Sequence, residues 1–288
     1  MSYKNIKAVG RVEKIKKFFK FTFDVIGGSI RDSVGAYSAH TAFFVTISFI
    51  PFIMLLIAIV RFLPFTETEL LNQVPVVFPQ AARKMVSSFL QEAYQKSGTA
   101  VISVAAVTTL WAASIGIFSL VRGINKVYGT EETRNYFIVR FASMVYTIFL
   151  LALMILCLGF FVFGGAIAQT IERIIPAAAA ATLIVMSMRI LVGFIAMSLI
   201  FAVMFTFIPN RKGKFLVQVP GAAVASAGWI IFSTVFSYYY ENISNYSYIY
   251  GSLSILVFFM IWIYVCIYIL LIGAEVNRCI EDRLYGHR

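Results

Sequence analysis

Residues 36–60 read AYSAHTAFFVTISFIPFIMLLIAIV, with no lysine, arginine, aspartate or glutamate among them. As an α-helix this stretch is about 37 Å long, enough to cross roughly 30 Å of hydrocarbon. Inside lipid a single segment has to satisfy its own backbone polar groups, and a helix does so. Five more stretches meet the same length test: Ala100–Val121, Phe141–Ala168, Ala180–Ile208, Val217–Tyr240 and Gly251–Ala274. The composition agrees. The chain is 60% hydrophobic and 13% charged, with a mean hydropathy of +0.87; a soluble domain carries roughly 25% charged residues, and one soluble core has no room for this excess of apolar side chains. The expected fold is all-α: a polytopic membrane bundle of about six transmembrane helices, with an amphipathic N-terminal helix and an extracytoplasmic one. Hydrophobic runs recur without a linker of different composition, so one membrane domain is expected over residues 36–275. An N-terminal basic segment (1–35) precedes it and a short tail (276–288) follows.

The net charge of +11 would suit nucleic-acid binding if it were spread over a soluble surface. Its distribution argues otherwise. Lys4, Lys7, Arg11, Lys14, Lys16, Lys17, Lys20 and Arg31 precede the first span, and Arg122, Lys126, Arg134 and Arg140 follow the second. Arg211, Lys212 and Lys214 follow the fourth, and Arg278, Arg283 and Arg288 the sixth. The alternate loops hold only Arg61, Arg83, Lys84, Lys96 and Arg173. By the positive-inside rule the eighteen lie in the cytoplasm, with both termini, which explains the charge without a nucleic-acid partner.

Val12, Ile15, Phe19, Thr22 and Ile26 recur at helical spacing beside Lys14, Lys16, Lys17 and Lys20. That pattern predicts a helix lying on an anionic leaflet, the alternative being a solvated basic tail. The charge of Lys4–Lys20 and the lack of a cleavage site after an apolar core exclude a signal peptide. In the loop 61–98, Thr66 and Glu69 have capping-box spacing and Met85, Val86, Phe89, Leu90 and Ala93 form a helical stripe. A helical loop is expected there, packing on the bundle or acting as a lid.

Polar groups within the spans are the candidate functional residues. Pro51 removes a hydrogen bond inside span 1 and predicts a kink, static or a gating hinge, with Ser48 available to the freed backbone groups. Arg189 lies in the outer part of span 4, where it either snorkels to the interface or meets an anionic substrate group or a carboxylate. His40, in the inner part of span 1, bonds a neighbouring helix or relays protons. Glu275, at the inner end of span 6, is expected to pair with Arg122 or Lys126 and fix helix register, with ion or proton coupling as the second reading. Tyr248 and Tyr250 belong to a tyrosine cluster at the outer interface, an aromatic belt or a stacking surface for an amphiphile's headgroup. In span 5, Gly221/Ala225 and Ala223/Ala227 place small residues four apart, a face that lets helices approach closely.

No chemistry of a familiar enzyme stands out. The histidines are His40 and His287 alone, and there is no phosphate-binding loop, nucleophile elbow or H-E-x-x-H pattern. Cys157, Cys266 and Cys279 lack metal-ligand spacing. Neither a cofactor nor an enzymatic activity is expected.

The residues resemble a known family. Ala42-Phe43-Phe44-Val45-Thr46-Ile47-Ser48-Phe49-Ile50-Pro51 is similar to the first-helix pattern of the YihY/BrkB inner-membrane proteins, formerly labelled ribonuclease BN and grouped with the UPF0761 proteins. The likeness continues through Leu110-Trp111-Ala112-Ala113-Ser114, Gly123-Ile124-Asn125-Lys126-Val127-Tyr128-Gly129 and Phe207-Ile208-Pro209-Asn210-Arg211. It resumes in Pro220-Gly221-Ala222, Tyr250-Gly251-Ser252-Leu253 and Gly273-Ala274-Glu275-Val276-Asn277, covering about residues 25–282 in the family's order. One departure is Ile115-Gly116, where the family commonly has Arg-Gly. The resemblance implies a six-helix protein of the bacterial cytoplasmic membrane. It also motivates an expected function: transport or flipping of a lipid-like or anionic amphiphilic envelope component. The alternative is a non-transporting scaffold. Membrane lipids are the expected partners, with an envelope protein and further copies of the chain left open.

Overall fold

The computed structural model describes residues 3–60, 68, 71, 87, 91, 99–153, 189–211, 213–242 and 252–286. Among the described residues there are helices and no strand. In chain order they are α1 (Tyr3–Arg31), α2 (Val34–Val60), α3 (Thr99–Val127), α4 (Tyr136–Leu153), α5 (Arg189–Phe207), α6 (Phe215–Asn242) and α7 (Ser252–Tyr285). Among the described residues, four stretches are long and apolar enough to cross a membrane: Ala106–Val127, Tyr136–Leu153, Phe215–Tyr239 and Leu256–Tyr285; Leu191–Phe207 is a shorter apolar helix. The fold is thus all-α, a helical membrane bundle. The helices run past the expected spans at their charged ends: α3 continues to Val127 and α7 to Tyr285. Hydrogen-bonded helix carries no requirement for apolar side chains, so the end of a hydrophobic run is not the end of a helix. In the loop 61–98, the described residues Thr68, Leu71, Ser87 and Gln91 are helical; the expected capping box and apolar stripe lie outside the described residues.

The chain divides into two compact units. Residues 1–42, 119–134 and 193–288 form one, and residues 43–118 and 135–192 the other. In the second unit, Arg140 stacks 5.1 Å from the Trp111 ring centroid, and Tyr136 meets Phe118 edge-on. Pro51 sits within α2, and the Ser48 hydroxyl donates to the Val45 carbonyl at 2.8 Å. The carbonyl that Pro51 leaves without its i+4 donor is that of Ile47, so Ser48 does not replace that bond.

The first unit is apolar on its surface and mixed within, where Ile124, Phe205 and Leu271 are fully buried alongside Gln218, Glu275 and Asn277. On α6 the large side chains Val224, Ile231 and Val235 are exposed, whereas Gln218, Gly221, Ala222, Ala225 and Ser226 are buried. Lipid imposes no penalty on exposed Ile or Val, so the buried face of α6 is free to be small and polar and to let another helix approach closely. A Cβ at Gly221 would fall on the Gly273 carbonyl oxygen, and one at Gly273 would lie 2.7 Å from the Ala225 Cβ. A Cβ at Gly228 would lie 2.8 Å from Ile269. Of the two expected small-residue pairs of span 5, Gly221/Ala225 lies on the face that α7 meets. Buried Ser38 and Thr206 here, like Ser143 and Thr147 in the second unit, each donate to the carbonyl four residues back, satisfying themselves within their own helices.

Candidate functional site

The charged end of the first unit holds a buried polar network, built where α3, α6 and α7 begin or end. Pro220 lies near the start of α6 and has no N–H to donate. Next to it the backbone is held by a side chain of α7. Asn277 Oδ1 accepts the Gly221 N–H at 2.7 Å, and Asn277 Nδ2 donates to the Gln218 carbonyl at 2.9 Å. Asn277 is fully buried, and both its polar atoms are used.

Gln218, also fully buried, continues the network. Its Oε1 accepts from the Tyr128 hydroxyl at 2.7 Å and its Nε2 donates to Glu281 Oε1 at 2.6 Å. Arg211 binds both Glu281 oxygens, and its guanidinium lies flat 3.6 Å from the Tyr128 ring centroid. Burial pushes the Tyr128 phenol up from its usual range, so it stays neutral and able to donate.

Tyr128 is placed by the end of α3. Gly129 takes a φ of +61°, and Thr130 N–H donates to Asn125 O while Gly129 N–H donates to Lys126 O. This is a Schellman cap, which turns the chain back on itself. Asn125 then ties two loops together: Nδ2 donates to Glu132 at 2.6 Å and Oδ1 accepts the Asn210 N–H at 2.8 Å. Asn210 Nδ2 donates in turn to Thr133 Oγ1 at 2.9 Å. Arg134 grips Glu132 with two bonds of 2.7 Å and holds its carboxyl below the usual carboxylate range.

A second cluster sits at the joint of α1 and α2. Ser33 there adopts a φ of +54°, a backbone shape that a side chain rarely takes. Beside it Asp32, 5% exposed, accepts from Arg278 Nη1 at 2.6 Å. Arg278 also donates to the Val127 carbonyl at 3.1 Å and lies 3.5 Å from Glu275. One guanidinium thus links the α1–α2 joint, the end of α3 and α7. The side chain of Asp32 raises the pKa of neighbouring Arg31.

Of the residues singled out from the sequence, Glu275 is fully buried and its cation is Arg278, three residues along its own helix. Arg122 and Lys126 are exposed on α3. His40 is exposed on α2, Pro51 lies within α2 and Arg189 is the first residue of α5. Tyr248 and Tyr250 lie outside the described residues. Sequence reasoning did not single out Asp32, Gln218, Arg278 or Glu281 as site residues. Asn125, Arg211 and Asn277 did stand in the family-like motifs, which was the available signal. The motifs Gly123–Gly129, Phe207–Arg211, Pro220–Ala222 and Gly273–Asn277 are parts of this one network.

Among the described residues no group of three His, Cys, Asp or Glu side chains is arranged to hold a metal ion. What the network does chemically is to neutralise and hydrogen-bond charges at the rim of an apolar body.

An all-α membrane bundle with motif-borne polar clasps at one end is the class of protein that the fold and the site define. The chain belongs to the BrkB family: the family model described as Virulence factor BrkB matches residues 25–288. A putative ribonuclease-like protein, YfkH, of Bacillus subtilis is 29% identical over 246 residues, which is 85% of this chain and 90% of that protein. A UPF0761 membrane protein of Vibrio vulnificus is 26% identical over 88% of this chain and 79% of its own length. One of Photobacterium profundum is 26% identical over 88% and 78%. No solved structure matches.

Proposed function

We propose that this membrane protein handles a lipid-like anionic amphiphile of the cell envelope, gathering it at the basic membrane surface and moving it across the bilayer. The observation that carries this reading is the two-sided helix α1. Val25 and Phe21 pack against Val276, Cys279 and Ile280 of α7. Phe19, Phe23, Ile26 and Ile30 are exposed at helical spacing on the remaining surface, beside exposed Lys16, Lys17 and Lys20. A helix anchored on one side, with a bare apolar stripe next to lysines, suits a leaflet rich in anionic headgroups. By the positive-inside rule we place this surface, and both termini, in the cytoplasm. Arg189, Tyr248 and Tyr250 are the proposed headgroup contacts on the opposite side, with Pro51 as the hinge and His40 as a polar group along the way.

The experiment is movement of labelled anionic lipids across vesicles that contain the purified protein. Wild type is compared with a Lys16→Glu, Lys17→Glu, Lys20→Glu variant, with Arg189→Ala and with protein-free vesicles. Protein-dependent movement that falls at least several-fold in both variants supports the reading. Movement unchanged in Arg189→Ala removes the assigned outer contact, and no movement of any lipid with folded protein removes transport itself.

A scaffold that binds an envelope partner is the second reading. What favours it is the mutual bonding of Asn277, Gln218, Tyr128 and Glu281, a closed arrangement suited to rigidity. A partner co-purifying after gentle extraction, together with inactive vesicles, supports it. We also read the chain as non-enzymatic, because hydrolysis of RNA needs clustered metal ligands in water and the histidines are His40 and His287 alone. Metal-dependent RNA cleavage by the pure protein, abolished by a point substitution, overturns that reading.

A further inference from the structure

The polar network balances its charges except at one point. Both oxygens of Glu275 are buried and neither has a hydrogen-bond partner, although the residue is 0% exposed. An ionised carboxylate taken out of water needs donors, and without them its desolvation is left uncompensated. The candidate donor is already committed. Arg278 Nη1 lies 2.6 Å from Asp32 Oδ2 and 3.1 Å from the Val127 carbonyl, but 3.5 Å from Glu275 Oε2. Two carboxyl groups therefore flank one guanidinium nitrogen that bonds only the first.

At Gly28 of α1 the fit around Glu275 leaves no room for a side chain. A Cβ at Gly28 would lie 2.6 Å from Glu275 Oε2, so the carboxyl rests against bare backbone there. Arg31 of α1, whose side chain is 62% exposed, pairs with Asp32 at 3.3 Å; Cys279 and Asp282 lie on the same helix as Glu275, with Asp282 3.7 Å from Arg278, and Asp24 of α1 faces Cys279. With Asp32 taking the Arg278 bond and also pairing with Arg31, an ionised Glu275 is left as a buried carboxylate with no hydrogen bond of its own. One proton removes that charge and gives a carboxyl O–H, for which Asp32, on the same guanidinium nitrogen, is the neighbouring acceptor.

We propose that Asp32 and Glu275 form a proton-binding site at the meeting of α1, α2 and α7, in which one proton from water is held between two carboxyl groups beside Arg278. The two groups share Arg278 Nη1, so changing either alters the uptake of the proton. The site lies at the joint where Ser33 holds a strained φ of +54°. Protonation there bears directly on the link between α1 and the rest of its unit. The proposal stands whether or not the chain moves lipids.

The test is infrared difference spectroscopy of the full-length protein in lipid vesicles, stepping the buffer from alkaline to acidic and following the carbonyl stretch of protonated carboxyl groups. The expected result is a band equivalent to one proton per chain. Glu275→Gln abolishes it, Asp32→Asn shifts its titration, and Asp24→Asn, changing an exposed carboxylate, leaves it in place. A band that is the same in folded Glu275→Gln overturns the proposal, as does the absence of any such band in wild type. Should Glu275→Gln fail to insert, Asp32→Asn decides: an unshifted titration overturns the shared site.

Discussion

At the residue scale, the clearest demand is for nothing at all at two positions. Gly221 and Gly273 face each other so closely that a methyl group at either meets backbone or Ala225 of the facing helix. Gly193, on α5, has nothing within 4 Å of where its Cβ would be. Alanine at Gly221 or Gly273 is expected to destabilise the protein by about 1–3 kcal/mol, the usual cost of overpacking. Alanine at Gly193 is expected to leave stability unchanged or raise it by up to about 1 kcal/mol, because a helical glycine loses backbone entropy that alanine does not. Thermal unfolding in detergent of the three variants checks this; equal effects at all three positions would mean that helix contact at Gly221 is unimportant. The sequence did show the small residues of span 5, since their spacing is visible in the chain. It did not show that Gly273 is their partner, because that pairing joins residues about fifty apart.

At the element scale, the turn from α3 towards α4 is held by a local cap and an ion-pair clasp. Gly129 closes the helix, and Glu132 is gripped by Arg134 and Asn125. Arg134 holds the folded-state pKa of Glu132 below its unfolded value. The resulting stabilisation is complete above the unfolded value, about 4.3, and is lost as pH falls through the lower folded value. Glu132→Gln is therefore expected to lower the unfolding temperature near neutral pH, with the gap to wild type closing below about pH 4. Melting curves of both proteins across the acid range measure it, and a gap that stays constant would show that the charge of Glu132 contributes nothing. The same scale explains α1. Its periodicity and lysines were readable from residues 12–26, but which face would be left bare depended on α7, whose Val276, Cys279 and Ile280 take up Phe21 and Val25.

At the scale of the whole first unit, Arg278 is the link between elements far apart in the chain. It reaches Asp32, 246 residues away, and the carbonyl of Val127, 151 residues away. Removing it leaves Glu275 without its cation and Asp32 with only the exposed Arg31, so Arg278→Ala is expected to cost on the order of 3 kcal/mol. Arg278→Lys keeps the charge but not two directed bonds and is expected to fall between. Urea or thermal unfolding of both variants in detergent tests the order. If Arg278→Ala matches wild type, the link carries no stability.

The sequence by itself determined the membrane-spanning helices, the family and the uneven placement of positive charge. Each of these depends on local chemistry: apolar length against the thickness of hydrocarbon, and motifs written in consecutive residues. Only the tertiary structure decided which charges meet. Glu275 was expected to find Arg122 or Lys126 by depth alone, yet depth leaves the direction around the helix open. The Arg278 side chain reaches back along its own helix to Glu275 at 3.5 Å and across to Asp32 at 2.6 Å. The motifs that were scattered along the chain came together at Gln218 and Asn277 because small residues let α6 and α7 approach closely enough for side chains to bond the facing backbone.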